Sequence, residues 1–253
     1  MQGIPTRQAP HPPLTAYYPR EADRRAWVLD LFQRTSRDYD RVERMMALGT
    51  GSWYRRRALR RAGLQAGMSV LDIGAGTGLV AAEAARIVGD PTRVLGVDPC
   101  SAMIDKAKVP AGVRLAGGSA ESIPAPDAEA DFLSMGYALR HVGDLPAAFA
   151  EFHRVLKPGG RLCLLEITRP DQAWFRLLLR TYIRGVVPFA ARLVARDSGT
   201  PTLMRYYWDT IEVCVSPRSI EAALEAAGFV DIHRHVELGI FSEYRASKPA
   251  VMM

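Results

Sequence analysis

Residues 69–78 read Ser-Val-Leu-Asp-Ile-Gly-Ala-Gly-Thr-Gly, and a helix-forming run begins at Leu79. No other stretch restricts the fold of this chain as strongly. An apolar strand must turn sharply into a helix here, and a backbone that comes within contact distance of a ligand leaves no room for side chains. Gly74, Gly76 and Gly78 meet that demand, with Ala75 between the first two. Dinucleotide-binding loops of the GxGxxG type carry their third glycine where this chain has Leu79. Asp72, just before the loop, suits a ligand with a cationic amino-acid end better than a pyrophosphate.

S-adenosylmethionine (SAM) is such a ligand. A second run, Leu95-Gly96-Val97-Asp98, ends on a carboxylate twenty residues beyond Gly78, where such a group accepts hydrogen bonds from both ribose hydroxyls. The alternative, that Asp98 caps a helix starting near Ser101, does not exclude that role. Pro99 and Met103, just beyond, are further candidates for cofactor binding. Ser119-Ala120-Glu121 and Met135-Gly136-Tyr137 stand after later strand candidates and are expected to contact the adenine and the methionine portion, although helix N-capping explains Ser119 equally well. A DNA adenine or cytosine methylase would carry Asp/Asn/Ser-Pro-Pro-aromatic after the fourth strand, and Met135-Gly136-Tyr137-Ala138 lacks it.

Between residues 66 and 168 short apolar runs alternate with helical stretches. Residues 69–73, 94–97, 113–115, 131–135 and 161–166 are the strand candidates. Such repetition predicts a parallel α/β sheet whose right-handed crossovers bring the loops after the strands to one ligand-binding edge. Ahead of it, 22–63 carries Trp27, Leu31, Phe32, Val42, Met45 and Met46 at helical spacing. Behind it, 169–215 is a helical insertion read as a lid, 219–227 a helix ended by Gly228, and 229–236 with 240–247 an antiparallel pair. The expectation is one domain over 22–253, a Rossmann-like seven-stranded α/β fold with N-terminal helices and a helical lid, preceded by a flexible arm over 1–21.

A chain of 253 residues is long enough to bury a substantial core in such a domain. Cys100, Cys163 and Cys214 are far apart, with no CxxC pair or Cys/His cluster for zinc, which points to a reduced, cytoplasmic setting and no metal. The proline-rich start has no continuous apolar stretch, so neither a signal peptide nor a membrane span is expected there. A net charge of +6 allows attraction to phosphates or an anionic surface. Much of it comes from Arg55, Arg56, Arg57, Arg60 and Arg61, a cluster read as a solvated helix face. No aromatic-rich binding motif accompanies it, and no nucleic-acid partner is expected.

Arg154-Val155-Leu156-Lys157-Pro158-Gly159-Gly160, with Glu166 and Thr168 beyond, resembles the RVLKPGG and E-x-S pattern of the UbiE-like ubiquinone/menaquinone-biosynthesis C-methyltransferases. The likeness runs from about Phe32 to the C terminus through Tyr39-Asp40, Gly49, Leu139-Arg140-x-Val142 and Ala227-Gly228-Phe229. It implies the strand order 3-2-1-4-5-7-6, SAM as cofactor, and C-methylation of a lipophilic quinol or phenolic small molecule. The chain departs from the family's YDxMN pattern and the serine, histidine and tryptophan after it. Glu43, Ala47 and Gly51 stand at the Asn, Ser and His positions, and Trp53 is displaced by one residue. The family's Gly-Leu-Arg-Asn after the fourth strand is here Ala138-Leu139-Arg140-His141, which implies the same reaction type on an altered acceptor.

Methyl transfer from a sulfonium is an in-line displacement that asks the protein to align the nucleophile and exclude water. Arg140 is the candidate to stabilise a phenolate. His141, at the ordinary pKa of about 6.5, is the candidate base, with a solvent-facing loop histidine as the alternative. Tyr39 and Asp40 either close over the cofactor or serve as a core tyrosine and a helix cap. Trp174, Leu177, Leu178, Leu179, Ile183 and Val186 interleave with Arg176, Arg180 and Arg184 in an amphipathic helix. It reads as packing on the domain, with shelter for a lipophilic tail or peripheral membrane contact as the sharper expectations. O- or N-methylation of another metabolite and non-catalytic SAM binding are the alternatives, and a homodimer is compatible with the sequence.

Overall fold

The structure, a computed structural model, describes residues 8–194 and 199–250. Three helices lead: α1 (Arg24–Thr35), α2 (Tyr39–Met46) and α3 (Gly51–Arg61). β1 (Val70–Ile73), α4 (Leu79–Val88), β2 (Val94–Asp98), the short α5 (Ser101–Ile104) and β3 (Arg114–Gly117) form the first half of an α/β unit. β4 (Ala130–Gly136), α6 (Leu145–Val155) and β5 (Leu156–Ile167) continue it. The insertion comprises α7 (Ala173–Thr181), a π-helical turn (Tyr182–Val186), α8 (Val187–Val194) and α9 (Thr200–Val213). α10 (Pro217–Ala226) then leads to β6 (Val230–Glu237) and β7 (Phe241–Ser247).

The seven strands lie in the order β3-β2-β1-β4-β5-β7-β6. The first five are parallel, and β7 runs antiparallel to both β5 and β6. All four residues of β1 are buried, as a central parallel strand covered on both faces requires. On one face α4 presents Ala81, Ala84, Ala85 and Val88 at helical spacing, small side chains that bring its axis close to the sheet. On the other, Leu145, Phe149, Phe152 and Val155 of α6 build the larger core layer. A third cluster lies apart from these two, where Leu31 of α1 and Val42 of α2 meet Leu179, Ile183, Tyr206 and Trp208 of the insertion.

Two expectations are corrected here. Residues 8–20 are tied down rather than loose: the Leu145 N–H donates to the Gln8 carbonyl (2.9 Å), the Val215 N–H to the Pro10 carbonyl (2.7 Å), and Tyr17 to Asp209 (2.6 Å). His11 and Tyr18 are buried. Composition alone misleads because these carbonyls are satisfied by distant parts of the chain. Residues 1–7 of the expected arm lie outside the described residues.

The arginines of α3 are not a uniformly solvated face. Arg55 is buried and donates to Glu43 (2.6 Å), and Arg56 donates to the buried Glu83 (2.8 Å). Arg61 spans Glu237 (3.0 Å) and the fully buried Glu243 (3.1 Å), while Arg57 and Arg60 are exposed. A buried carboxylate demands a cation or several donors, and its partner is set by the fold rather than by local spacing. Arg61→Met is therefore expected to lower the unfolding free energy by about 3–5 kcal/mol, because Glu243 stays buried without its cation. Arg57→Met on the same helix is expected to cost about 0.5 kcal/mol or less. Urea denaturation midpoints of the two variants check the contrast.

Candidate active site

Gly74, Gly76 and Gly78 all adopt positive φ (68°, 55° and 83°) between β1 and α4. A Cβ on Gly74 would lie 2.6 Å from that of Ala138, whereas Gly76 faces open space. Gly74 thus lets the loop after β4 close against the loop after β1, and Gly76 leaves room for a ligand. Asp98 joins the neighbouring loop to this one. Its Oδ2 accepts the Gly76 N–H and its Oδ1 the Cys100 N–H, both at 2.8 Å. Burial pushes its pKa up against the pull of those two bonds.

A cavity of about 670 Å³ opens at the carboxyl ends of β1, β2 and β4, within the range of small-molecule sites. Its floor contains eight of the candidate cofactor-binding residues, Gly74, Gly76, Asp98, Pro99, Met103, Ser119, Ala120 and Gly136. Tyr39 and His141 line it too. Ser119 exchanges backbone hydrogen bonds with Ser122 (3.2 Å each way) and starts no helix, so the N-cap alternative falls. The roof comes from α1: Arg24, Arg25, Val28, Leu29 and Phe32. Its apolar members carry no signal beyond helical spacing, which reads as ordinary core. No described residue of 169–215 lines the cavity. The segment expected as a lid instead backs the roof, with α9 packed on α1.

Four expected site residues stand outside the cavity. Ala75 is buried against Gly96, where an added Cβ would meet it at 3.0 Å. Gly78 caps α4, and a Cβ there would meet Val109 at 2.3 Å. Asp72 is buried and accepts a bond from Ser134 (2.7 Å); burial pushes its pKa up to about 7. Arg140 is fully buried in a pair with Glu166, its guanidinium 4.5 Å from the centre of the Tyr207 ring and its Nε 3.3 Å from Thr210. The expectation that Arg140 touches a phenolate is corrected: a guanidinium in the interior needs a carboxylate, and Glu166 holds it away from the cavity.

His141 stacks on Tyr206 (centroids 5.6 Å apart, planes at 22°) and meets Phe32 edge-on at 5.2 Å. Neither ring nitrogen has a partner among the described residues. Burial first, then the charge of Arg140 and that of Arg24, hold its pKa well below the usual value. The ring is therefore neutral at pH 7, which corrects both the expected pKa near 6.5 and the solvent-facing alternative. Tyr39 is kept protonated by burial, which raises its pKa. Asp40 lies inside α2 and pairs with Lys108 (3.5 Å) rather than capping a helix.

The model of the ubiE/COQ5 methyltransferase family matches residues 20–248. The chain belongs to this family. The ubiquinone/menaquinone biosynthesis C-methyltransferase UbiE of Rubrivivax gelatinosus is 33% identical over 217 residues, 85% of this chain and 84% of that protein. That of Shewanella halifaxensis is 31% identical over 222 residues, 84% of this chain and 87% of that protein. In fold, a SAM-dependent methyltransferase of Thermotoga maritima is similar with a TM-score of 0.60 at 21% identity, over 87% of this chain and 98% of that one.

The UbiE/COQ5-family chain is a SAM-dependent methyltransferase, and its floor fits that cofactor: space above Gly76, small residues at 119, 120 and 136, and a carboxylate at Asp98. Asp72 gives this family member a pH signature. Its pKa rises from 3.8 unfolded to about 7 folded, so the folded state holds the proton more tightly. The stability this supplies is complete below about pH 4 and is lost as pH climbs towards 7. Asp72→Asn is expected to remove this slope. Urea unfolding of both proteins at pH 4.5 and 7.5 measures it, and parallel losses in the two would exclude Asp72 as the source.

Proposed function

We propose that this enzyme transfers the SAM methyl group to a ring carbon of a lipophilic quinol or phenol, in the cytosol. His141 carries the reading: a neutral imidazole on the cavity wall, clamped between the Phe32 and Tyr206 rings, with both nitrogens free of protein partners among the described residues. The names of the UbiE relatives, which refer to quinone biosynthesis, support a quinol acceptor. The three cysteines, all free thiols, suit a reducing compartment.

Bound SAM supplies an electrophilic methyl group on a cationic sulfur. Val28, Leu29 and Phe32 offer a flat ring an apolar face and keep water from the transfer. Neutral His141 takes the ring proton once the new carbon–carbon bond has formed. Arg140 acts at one remove, as the positioning residue that seats His141. With methyl-labelled SAM and a reduced short-chain benzoquinol, the label is expected on a ring carbon by fragmentation. His141→Ala is expected to cut kcat by about 10²–10⁴-fold while S-adenosylhomocysteine binds as before. Label on oxygen, or an unchanged kcat, would exclude this reading.

An acceptor of this kind partitions into lipid, and α7 and α8 carry a surface suited to meeting it there. Trp174, Leu177, Leu178 and Phe189 are 67%, 63%, 57% and 67% exposed, with Arg180 exposed among them. Apolar anchors interleaved with arginine favour peripheral contact with anionic lipid. Among the described residues no helix is long and apolar enough to cross a membrane. Co-sedimentation with vesicles containing phosphatidylglycerol is expected, and Trp174→Glu with Leu178→Glu is expected to abolish it. A wild-type protein that stays in the supernatant would rule out the contact.

A further inference from the structure

The wall between α1 and the 138–142 loop holds more buried polar atoms than its own hydrogen bonds satisfy. Arg24, the first residue of α1, lines the cavity with its side chain only 4% exposed. One terminal nitrogen donates to the Arg140 carbonyl (2.8 Å) and the other to Glu21 (3.2 Å), while Nε is buried without a partner among the described residues. Nearby, both nitrogens of His141 are unpartnered. The buried His11 bonds through Nδ1 to its neighbour's carbonyl at Pro12 (2.7 Å), which makes Nδ1 the donor and leaves Nε2 an unpartnered acceptor. Folded proteins leave few such atoms without partners; Arg24 and His141 line the cavity, and their unpartnered nitrogens mark where the polar atoms of a ligand belong, with His11 behind them outside the lining.

The electrostatics of this wall favour an anion. The charge of Arg140 is met by Glu166, and that of Arg24 only in part by the half-buried Glu21. Burial and then Arg24 bring the pKa of His11 down to about 4, and burial with Arg140 and Arg24 lowers that of His141. Both rings are neutral near pH 7. Tyr18 and Tyr206, also within the field of Arg24, stay protonated because burial raises them. Arg24 is thus the buried cation of the wall, with Arg25 nearer the cavity rim.

We propose that Arg24 holds the ionised hydroxyl of the methyl acceptor through its unpartnered Nε–H, so that the site selects acceptors bearing an acidic hydroxyl. This rests on the aromatic-acceptor reading above. A phenolate carries the electron density that a ring carbon needs to attack the methyl group, and a buried guanidinium stabilises that form over the neutral phenol.

The test uses the whole chain saturated with S-adenosylhomocysteine and 4-nitrophenol as probe, whose phenolate absorbs visibly. The acid constant of the bound phenol is expected to rise by about tenfold or more over the free probe, the shift typical of an opposite charge within reach. At pH 8 the phenol is expected to bind at least about tenfold tighter than 4-nitroanisole, its non-ionisable methyl ether. Arg24→Gln should abolish both effects and Arg24→Lys should restore part of each. Equal ionisation in wild type and Arg24→Gln, equal affinity for the two probes, or no binding of either would overturn the proposal. Calorimetry with S-adenosylhomocysteine confirms that each variant is folded; where Arg24→Gln fails it, the wild-type comparison of the two probes decides alone. A wild type that binds 4-nitrophenol as phenolate but methylates quinol on oxygen would sink the carbon-acceptor reading and leave this one standing.

Discussion

Glu166, near the end of β5, accepts the Leu139 N–H (2.9 Å) and pairs with the Arg140 guanidinium in the interior. The rest of that side of the cavity depends on this carboxylate. Arg140 in turn lies over Tyr207 and reaches Thr210 on α9, and its carbonyl receives Arg24 from α1. One ion pair therefore links the sheet, the loop after β4, the roof helix and the insertion behind it. Burying two charges together gains little stability, but removing either partner leaves the other stranded. The pair's contribution is geometric, because it decides where the next residue, His141, stands.

The cofactor side is assembled from backbone groups in the same manner. Asp98 gathers the Gly76 and Cys100 N–H groups, so one carboxylate ties the first loop to the second. The two halves meet at Gly136–Ala138, where Tyr137 takes a left-handed conformation (φ 60°) rare for a residue with a side chain. Its N–H bonds the Leu165 carbonyl (2.7 Å), continuing the ladder to β5 through the bend. That bend turns the chain out of β4 and towards Glu166 while Ala138 closes on Gly74. Strain of this kind persists only where the surroundings enforce it, and here the neighbours on both sides do so.

The sheet, its order and the glycine floor were legible in the sequence because their causes are local or rest on a family pattern. Alternate glycines after an apolar run, and a carboxylate ending the next run, need no knowledge of the remainder of the chain. The roof was not legible: Val28, Leu29 and Phe32 repeat as any buried helix face would, and nothing local says that the face meets a cavity rather than a core. Arg140 is recognisable as a motif residue, but its guanidinium is directed by a carboxylate 26 residues further on. The arginines of α3 misled for the same reason, since Arg61 finds Glu243 across 182 residues. Spacing reports which residues share a surface, and charge pairing is a property of the folded whole.

The neutral state of His141 follows from this arrangement and limits what the residue can do. With Arg140 and Arg24 both close by, an imidazolium here would meet two guanidinium charges. The ring is therefore a poor proton donor at physiological pH and is restricted to accepting. A low pKa also makes it a weak base, which would be a handicap if it had to ionise an ordinary aromatic C–H. In the proposed C-methylation, however, loss of the proton after the ring carbon has bonded to methyl restores aromaticity, so a weak base held in contact would be sufficient. On the proposed reaction the labour is then divided: activation of the ring falls to a positive group elsewhere on the wall, because a charged histidine would be repelled by the groups that position it.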